Sequence, residues 1–271
     1  MQVYRYMDIG TDKPSVSVRS QLRHHLVDIL DPSHHFDAGK FVTSADRLVG
    51  EIGDRDNMPI IAGGTAFYLR NFLYGLPESP PGCPRERMKL QRAAERHGTA
   101  ALFEELKRVD RIAAAKIHEN DRYRILRALE IQATSGRPAS SYRVPSEMRD
   151  CFNVLLIGLT RERACLYARI DRRVEAMFAR GLLNEVKGLL EMGYGRDDPG
   201  MKGIGYREFF DTQRGCLSLE GVRELIKRNS RRYAKRQMTA FRSLRGVCWF
   251  HPDDAVRIRR CMDDFVAASQ T

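Results

Sequence analysis

The loop MKGIGYRE, at residues 201–208, carries cations on a backbone that two glycines keep adaptable. Gly203 and Gly205 flank one isoleucine, and Lys202 and Arg207 lie on either side of this turn. An arginine side chain offers paired N–H donors that match the oxygens of a phosphate group. The pattern therefore predicts a loop that wraps a diphosphate. The alternative is an ordinary loop between helices whose cations are solvated.

The segment GGT, at residues 63–65, lies where a short apolar run gives way to a helical pattern. Small residues allow a ligand to approach the backbone, and the N-terminus of a helix favours negative charge. The segment is therefore a second candidate for binding a phosphate group. A purely structural Gly-Gly turn is the alternative.

Residues 218–243 combine a helical apolar stripe with the densest run of cations in the chain. Leu219, Val222, Leu225, Ile226 and Met238 form the stripe, which predicts a helix with one buried face. Clustered cations repel one another unless a polyanion binds, so the pattern favours nucleic acid over a solvated basic face. The cations are Arg223, Lys227, Arg228, Arg231, Arg232, Lys235, Arg236 and Arg242.

A second group of arginines lies on a predicted helix near the middle of the chain. The group consists of Arg122, Arg124, Arg127 and Arg137. By itself it indicates only a helix decorated with charge.

Metal ligation has weak support in the sequence. His24 and His25 are adjacent, so on a strand they would point to opposite faces, and a third ligand is not close in sequence. The six cysteines show no C-x-x-C pair, which indicates reduced thiols. Asp28 and Asp31 are either carboxylates near the site or, more commonly, turn residues at the end of a strand.

Composition indicates a globular protein with a polyanionic partner. The chain has 271 residues, 42% of them hydrophobic, and a net charge of +11 from 46 Lys and Arg against 35 Asp and Glu. An excess of this size favours nucleic acid, with a merely basic surface as the alternative. We find no apolar run of about 18 residues and no apolar segment typical of a signal peptide after Met1. The sequence therefore predicts a cytoplasmic protein without membrane association.

The candidate segments require a scaffold of alternating strands and helices. Residues 24–30 and 58–63 are short apolar runs closed by turn residues, as buried strands require. Between them Asp37 can cap a helix that ends at Gly53, and residues 153–159 read as a further strand. This order predicts a parallel sheet with helical crossovers.

A change of composition near Pro77 divides this scaffold into two parts. A proline-rich linker begins at Pro77, and a highly charged helical region follows until about Pro145. Its last helix is predicted to begin near Asp121 and to end at Gly136. We therefore predict an inserted helical subdomain at 77–145, followed by long helical patterns at 163–192 and 218–243.

The first fourteen residues read as the end of a strand and the loop that follows it. A phosphate-binding G-x-x-x-x-G-K-[ST] loop does not occur in the 271 residues. We therefore expect the reading frame to continue upstream of Met1.

Seven segments in this order resemble the tRNA dimethylallyltransferase family, also called isopentenyl-diphosphate:tRNA transferase. They are MQVYRYMDIGTDKP, HHLVDILDP, GGTAFYLRNFLYGL, NDRYRILRALEI, RGLLNEVKGLL, GIGYRE and RRYAKRQMTAFR. The resemblance implies an α/β fold with a P-loop kinase-like parallel sheet flanked by helices, here without its first strand and P-loop. It implies a catalytic core at 1–76 and 146–271, and a subdomain at 77–145 that contacts the tRNA anticodon region.

The activity that the resemblance implies is a prenyl transfer to tRNA. A dimethylallyl group would pass from dimethylallyl diphosphate to N6 of the adenosine 3′ of the anticodon, with the target base flipped out of its stack. The implied partners are the tRNA anticodon stem-loop and dimethylallyl diphosphate, and the implied cofactor is Mg²⁺ bound with the diphosphate. A cytoplasmic monomer is expected.

The site residues implied by the resemblance fall into three groups. Thr65 and Arg207 are the predicted catalytic residues, Arg207 and Lys202 are predicted to bind the diphosphate, and no metal-ligating side chain is predicted. Gln2 matches the glutamine that reads the target adenine. The predicted tRNA contacts are Met1, Gln2, Arg87, Tyr123, Arg124, Ile125, Leu126, Arg127, Lys202, Gly203, Ile204, Gly205, Tyr206, Arg207, Lys235, Arg236, Gln237, Met238, Thr239, Ala240, Phe241 and Arg242.

The general base implied by the resemblance is the aspartate of a D-S-x-Q pattern, of which the chain holds only Met1 and Gln2. Two expectations follow: little activity, and poor solubility caused by exposed strand edges, unless the upstream segment is present. Two alternatives stay open. One is a non-catalytic protein that only binds tRNA, and the other is a small-molecule kinase of the same fold, which the basic helix disfavours.

Overall fold

The computed structural model describes residues 1–211 and 218–269 and divides the chain into two compact units. The first unit consists of Met1–Phe72 and Asp150–Thr271, and the second of Leu73–Arg149. The predicted subdomain at 77–145 lies inside the second unit, whose bounds extend beyond it at both ends. Cys216, one of the six cysteines, lies outside the described residues.

Helices dominate the first unit. They are α1 (Val16–Gln21), α2 (Ala38–Gly53), α3 (Ala66–Tyr74, which runs past Phe72), α7 (Arg163–Ala179), α8 (Leu182–Glu191), α9 (Leu219–Arg242) and α10 (Ala255–Ser269). The side chain of Asp37 caps α2 by accepting a hydrogen bond from the Lys40 N–H, which confirms the predicted start of this helix. Short 3-10 turns cover Gly200–Lys202 and Arg207–Asp211 in the loop between α8 and α9.

A small parallel sheet makes the fold α/β. Strand β1 (Leu156–Leu159) pairs in parallel with β2 (Val247–Phe250), so that Leu156 lies opposite Val247. A single parallel bridge joins Tyr4 to Leu30. The predicted strand at 153–159 is thus confirmed over its last four residues.

Two predicted strands are wrong. Residues 24–30 contribute only the bridge at Leu30, because Leu26 and Asp28 adopt positive φ angles of 59° and 56° that break an extended backbone. Residues 58–63 have no regular structure, and the Ile60 side chain is 71% exposed. A strand forms only where a partner accepts its backbone hydrogen bonds, and an apolar run does not report whether that partner is present.

The core of the first unit forms where α7, α8 and α9 pack on the N-terminal residues. The pattern at 163–192 predicts one helix, but Gly181, at a φ of 96°, separates α7 from α8. Glycine adopts this left-handed conformation at little cost, and the turn places the apolar faces of both helices against one core. Its fully buried members are Met7, Leu182, Val186, Leu189, Met201, Tyr206, Val222 and Ile226.

The second unit has a separate core between α4 (Pro84–Val109), α5 (Arg111–Ala114) and α6 (Arg122–Ser135). The Asp121 carboxylate caps α6 through the Arg124 N–H, and Gly136 ends it at a φ of 70°, which confirms both predicted ends. Ile125, Leu126 and Leu129 lie buried along one face of α6, as the helical spacing predicts.

In the described part of the chain, no helix is both long enough and apolar enough to cross a membrane.

Candidate functional site

One face of α9 joins the two loops that the sequence singles out. Asn229, Tyr233 and Gln237 are spaced four residues apart, so their side chains share a face of the helix. The Asn229 amide donates to Glu208 Oε1 at 2.8 Å, and the Gln237 amide donates to the carbonyl oxygen of Gly64 at 2.7 Å. The Tyr233 hydroxyl reaches the same carbonyl at 3.3 Å.

The contacts to the two loops are separated along the axis of α9. Asn229 and Gln237 are eight residues apart, which is about 12 Å along an α-helix at 1.5 Å per residue. The tertiary structure therefore brings the GIGYRE loop and the GGT turn to one face of α9. Thr65, which follows Gly64, is exposed beside this face.

A buried carboxylate holds the GIGYRE loop. The Glu208 side chain is 1% exposed, and its Oε2 accepts the Gly205 N–H at 2.9 Å. Its Oε1 accepts the Nε–H of Arg207 at 3.1 Å. The Arg207 side chain itself is 46% exposed, so its terminal amino groups can reach a ligand. Gly205 has a φ of 99°, a conformation that favours glycine at this turn.

A second carboxylate ties the N-terminal segment to the same loop. Glu185 Oε2 accepts the N–H groups of Asp8 and Ile9 at 2.8 and 2.7 Å, and Oε1 accepts the Gly10 N–H at 3.1 Å. The Tyr206 hydroxyl donates to Oε1 at 2.7 Å. Burial, followed by the Glu185 charge, raises the pKa of Tyr206 far above its usual range, which keeps this donor protonated.

Met1 and Gln2 lie beside the glycine loop. A Cβ on Gly203 would come within 2.7 Å of the Met1 side chain. The Gln2 amide nitrogen donates to the carbonyl oxygens of Thr11 and Asp12 at 3.2 and 3.0 Å. Both hydrogen bonds use the amide nitrogen of this side chain, and neither uses its carbonyl oxygen. A cavity of about 270 Å³ adjoins these residues. Its lining consists of Met1, Val3, Tyr4, His35, Phe36, Tyr68, Pro199 and Lys202.

Cations in the first half of α9 are neutralised by acids of α7. Lys227, whose side chain is 13% exposed, pairs with Glu175 at 2.6 Å, and Arg223 pairs with Glu175 at 3.5 Å. Arg231 pairs with Asp171 at 2.6 Å. Glu220 and Glu224 of α9 also pair with Arg223 and Lys227, at 3.1 and 2.6 Å. These three cations thus have acidic partners inside the protein, which corrects the expectation that the whole helix needs a polyanion.

The second half of α9 has the opposite character. Its cations are exposed, and the ion pairs among the described residues do not involve them. Part of this surface borders an open concavity of about 560 Å³ formed by Arg232, Lys235, Arg236, Thr239, Ala240 and Ser243. The exposed cations of this half are Arg232, Lys235, Arg236 and Arg242, and Arg228, which lies earlier in α9, is also exposed. This half is the candidate polyanion-binding surface of the first unit.

In the second unit, two arginines that are predicted to contact tRNA, Arg87 and Arg127, also bind a buried carboxylate. Glu130, 1% exposed, accepts hydrogen bonds from Arg87 at 2.6 Å and from Arg127 at 3.0 Å. Its other oxygen accepts the Cys83 N–H at 2.7 Å, and Arg127 also donates to the Pro80 carbonyl at 2.6 Å. Burial alone would raise the pKa of Glu130, but these hydrogen bonds outweigh it and lower the pKa.

Three predicted tRNA contacts have buried side chains. Ile125 and Leu126 are 0% and 9% exposed in the second core, and Tyr206 is 0% exposed in the first. Their side chains pack in the interior and are not available to a ligand. By contrast, the side chains of Tyr123 and Arg124 are 72% and 68% exposed, so the exposed face of α6 begins with an aromatic ring and a cation. The remaining predicted contacts stay predictions.

The acidic and histidine residues near the site do not form a metal centre. In the described part of the chain, no three His, Cys, Asp or Glu side chains are placed to share a metal ion. Asp8 and Asp28 both bind the buried ammonium group of Lys13. These two carboxylates are already paired with a cation of the chain.

Asp31 lies at a turn. Of its two interpretations, a carboxylate near the site or a turn residue, the second was the commoner. Its carboxylate accepts from the Ser33 hydroxyl at 2.6 Å and from the Tyr194 hydroxyl at 2.5 Å. These hydrogen bonds lower the pKa of Asp31 to about 2.

Sequence reasoning did not identify Glu185, Glu208, Asn229 and Tyr233 as parts of this site. One signal was available, because the spacing Asn-x-x-x-Tyr-x-x-x-Gln marks a polar stripe on α9. The two glutamates lie in RGLLNEVKGLL and GIGYRE, which carry the resemblance, but the sequence does not report their hydrogen-bond partners, which depend on the tertiary structure.

Comparisons with known proteins found relatives that match nearly the whole chain. Residues 2–244 match the sequence model of the family described as IPP transferase. A tRNA dimethylallyltransferase 2 of Geotalea daltonii is 45% identical over 253 residues, which cover 92% of this chain and 77% of the relative. The crystal structure of a tRNA isopentenylpyrophosphate transferase from Bacillus halodurans is 36% identical with a TM-score of 0.68, covering 100% of this chain and 88% of the other. A eukaryotic dimethylallyltransferase solved acting on tRNA is 25% identical with a TM-score of 0.79, covering 99% and 71%.

Proposed function

The chain belongs to the IPP transferase family, and on that premise we propose that it transfers a dimethylallyl group to tRNA. The donor is dimethylallyl diphosphate, and the acceptor is N6 of the adenosine 3′ of the anticodon. In this reaction N6 attacks C1 of the dimethylallyl group, the C1–O bond breaks, the diphosphate leaves with the electron pair, and the proton of N6 passes to water. The protein must therefore hold two substrates in line and stabilise the departing charge.

The observation that carries the proposal is the shared face of α9. Asn229 contacts the loop of Arg207, and Gln237 contacts the turn that precedes Thr65. The two α9 residues that hold the Arg207 loop and the turn before Thr65 are thus about 12 Å apart along the helix. The exposed cations in the second half of α9 continue from this face and suit an RNA backbone.

Five of the predicted site residues have a specific role in this scheme. Arg207 offers its terminal amino groups to the diphosphate, and Lys202 adds a second charge at the cavity. The Gln2 carbonyl oxygen can accept from the adenine amine, because its amide nitrogen is engaged by the backbone. On the second unit, Tyr123 offers a ring for stacking on a base and Arg124 a charge for phosphate.

Mg²⁺ accompanies the donor in this proposal as an ion bound by the diphosphate oxygens. Carboxylates of the described residues do not gather into a site for it. The steps assigned to this chain's residues are binding and orientation, and none depends on the ion.

The test is transfer to a defined RNA. The purified chain is incubated with Mg²⁺, dimethylallyl diphosphate and a synthetic anticodon stem-loop that has adenosine 3′ of the anticodon. Nucleosides from the digested RNA are analysed by mass spectrometry. We expect a small fraction of the adenosine to gain the mass of one dimethylallyl group, because little activity is expected of a chain that holds only Met1 and Gln2 of the D-S-x-Q pattern.

Two controls sharpen this experiment. A stem-loop with guanosine at the acceptor position lacks the N6 amine and should remain unmodified. Arg207→Ala should abolish most transfer while leaving stem-loop binding measurable. Tight, salt-dependent binding without transfer would overturn the enzymatic proposal and leave a protein that only binds tRNA.

A further inference from the structure

Glu208 is a buried carboxylate in direct contact with the arginine assigned to the diphosphate. We propose that Glu208, held in place by Asn229, is a positioning residue that presents the guanidinium group of Arg207 to the leaving diphosphate. This inference rests on the proposed function, since it assumes that Arg207 meets a diphosphate.

The contact geometry separates two parts of the guanidinium group. Its Nε–H donates to Glu208 Oε1 at 3.1 Å, which restricts rotation of the planar group. The terminal amino groups are not needed for this bond, and the Arg207 side chain is 46% exposed while Glu208 is 1% exposed. The buried edge of the guanidinium group is thus anchored, and the paired donors that suit a phosphate remain on the accessible edge.

Glu208 can act in this way because it is itself restrained. The Asn229 amide donates to Oε1 at 2.8 Å, and the Gly205 N–H donates to Oε2 at 2.9 Å. Each carboxylate oxygen of Glu208 therefore accepts a hydrogen bond. The donor to Oε1 lies on α9, and the donor to Oε2 lies in the turn at Gly205. A carboxylate held at both oxygens transmits the position of α9 to Arg207.

The physical benefit is preorganisation. A free arginine loses side-chain entropy when it binds a ligand, and an arginine already restrained loses less. Loss of the restraint should weaken pyrophosphate binding roughly threefold to tenfold, which corresponds to the cost of ordering one long side chain. A merely structural role for Glu208 would instead lower stability without depending on Arg207.

A double-mutant cycle with inorganic pyrophosphate distinguishes these roles. Binding is measured by calorimetry on the full chain for the wild type, Glu208→Gln, Arg207→Ala and the double variant. We expect Glu208→Gln to weaken binding in the Arg207 background and to have no further effect in the Arg207→Ala background. Equal losses in both backgrounds would overturn the proposal. A wild-type chain that does not bind pyrophosphate would also overturn it.

A second variant keeps the test decisive if Glu208→Gln does not fold. Asn229→Ala removes one restraint and leaves the buried charge in place, so it should give a smaller loss of pyrophosphate affinity that again requires Arg207. An Asn229→Ala loss that persists with Arg207→Ala would contradict the proposal. The matched control is Glu175→Gln, which removes a carboxylate that binds Lys227 and Arg223 on α7 and α9, and it should leave pyrophosphate binding unchanged.

Transfer kinetics separate this inference from the proposed function. Glu208→Gln should raise KM for dimethylallyl diphosphate and leave KM for the stem-loop unchanged. If Glu208→Gln weakens pyrophosphate binding only when Arg207 is present, but no transfer occurs, the proposed function is overturned and the positioning role is supported. If transfer occurs, but the losses of pyrophosphate affinity from Glu208→Gln and Arg207→Ala are additive, the positioning role is overturned and the proposed function stands.

Discussion

The two halves of α9 are both rich in cations, yet they do different things. In the first half Val222 and Ile226 are buried, and Lys227 and Arg231 pair with acids of α7. After Ile226, the residues of α9 that the structure describes are half-buried or exposed, and the cations from Arg232 onward have no acidic partner among them.

This difference shows that charge density along a sequence is not the same as charge available to a ligand. A cation that is already paired gains less from a phosphate, because the existing bond must first be broken. The first half therefore attaches the helix to the protein, and the second half presents charge to solvent. Four predictions test this division.

The largest effect should come from truncating the buried half. Ile226→Ala should lower the free energy of unfolding by about 2–5 kcal/mol, because the side chain is 2% exposed and its loss leaves a cavity. Met238→Ala, in the half-buried second half, should cost less. Urea denaturation with unchanged m-values would measure both. Equal costs would show that the second half is packed as firmly as the first.

The second prediction concerns RNA affinity. The triple variant Arg232→Gln, Lys235→Gln and Arg236→Gln should weaken anticodon stem-loop binding about 50-fold near physiological salt, if each cation meets one phosphate and contributes about 0.7 to the salt slope. The slope of log affinity against log salt should fall by about 2. Fluorescence anisotropy at several salt concentrations would measure both quantities.

The matched control for this variant lies on the same helix. Arg223→Gln, Lys227→Gln and Arg231→Gln remove the same number of charges from the paired half, so a general effect of net charge would appear in both triples. A similar loss of RNA affinity in the two variants would contradict the division of α9.

The third prediction reverses the comparison. The triple variant of the paired half should lower the free energy of unfolding by about 1–2 kcal/mol, since partly exposed ion pairs contribute up to about 1 kcal/mol each. The triple variant of the second half should leave stability nearly unchanged. Thermal unfolding of both variants in the same buffer would measure the difference. A larger loss of stability in the second half would show that its cations have structural partners.

The smallest effect should be a pH dependence confined to the first half. The hydrogen bond from Lys227, followed by the Arg223 charge, holds the pKa of Glu175 below its ordinary value of 4.5. A lowered folded-state pKa contributes stability above the unfolded value, and this stability is lost as pH falls through the folded value. The difference in Tm between wild type and Glu175→Gln should therefore be constant near about pH 6 and shrink below about pH 4.5. A difference that grows on acidification would contradict this sign.

Features that depend on nearby residues could be predicted from the sequence. Asp37 and Asp121 cap their helices, and Gly136 ends α6, because these interactions join residues within one turn of each other. Helical spacing also placed Ile125 and Leu126 on a buried face. Their assignment as tRNA contacts came from the family resemblance and stays a prediction, which their buried side chains do not support.

Features that depend on distant residues could not be predicted in this way. The apolar run at 58–63 resembles a strand, but strand formation requires a pairing partner that the run itself does not specify. The Glu185 contacts with residues 8–10 join positions about 175 residues apart. The spacing of apolar residues has a period of two or 3.6 and carries no information at that range.

By itself, the sequence determined the helices of this protein, their caps and apolar stripes, its excess of positive charge and the chemistry of the GIGYRE and GGT segments. Only the tertiary structure decided that α9 brings those two segments together, that acids of α7 pair with three of its cations, and that Glu208 anchors Arg207. The physical reason is that helix formation and capping are local, whereas the availability of a charged side chain depends on whatever the fold packs beside it.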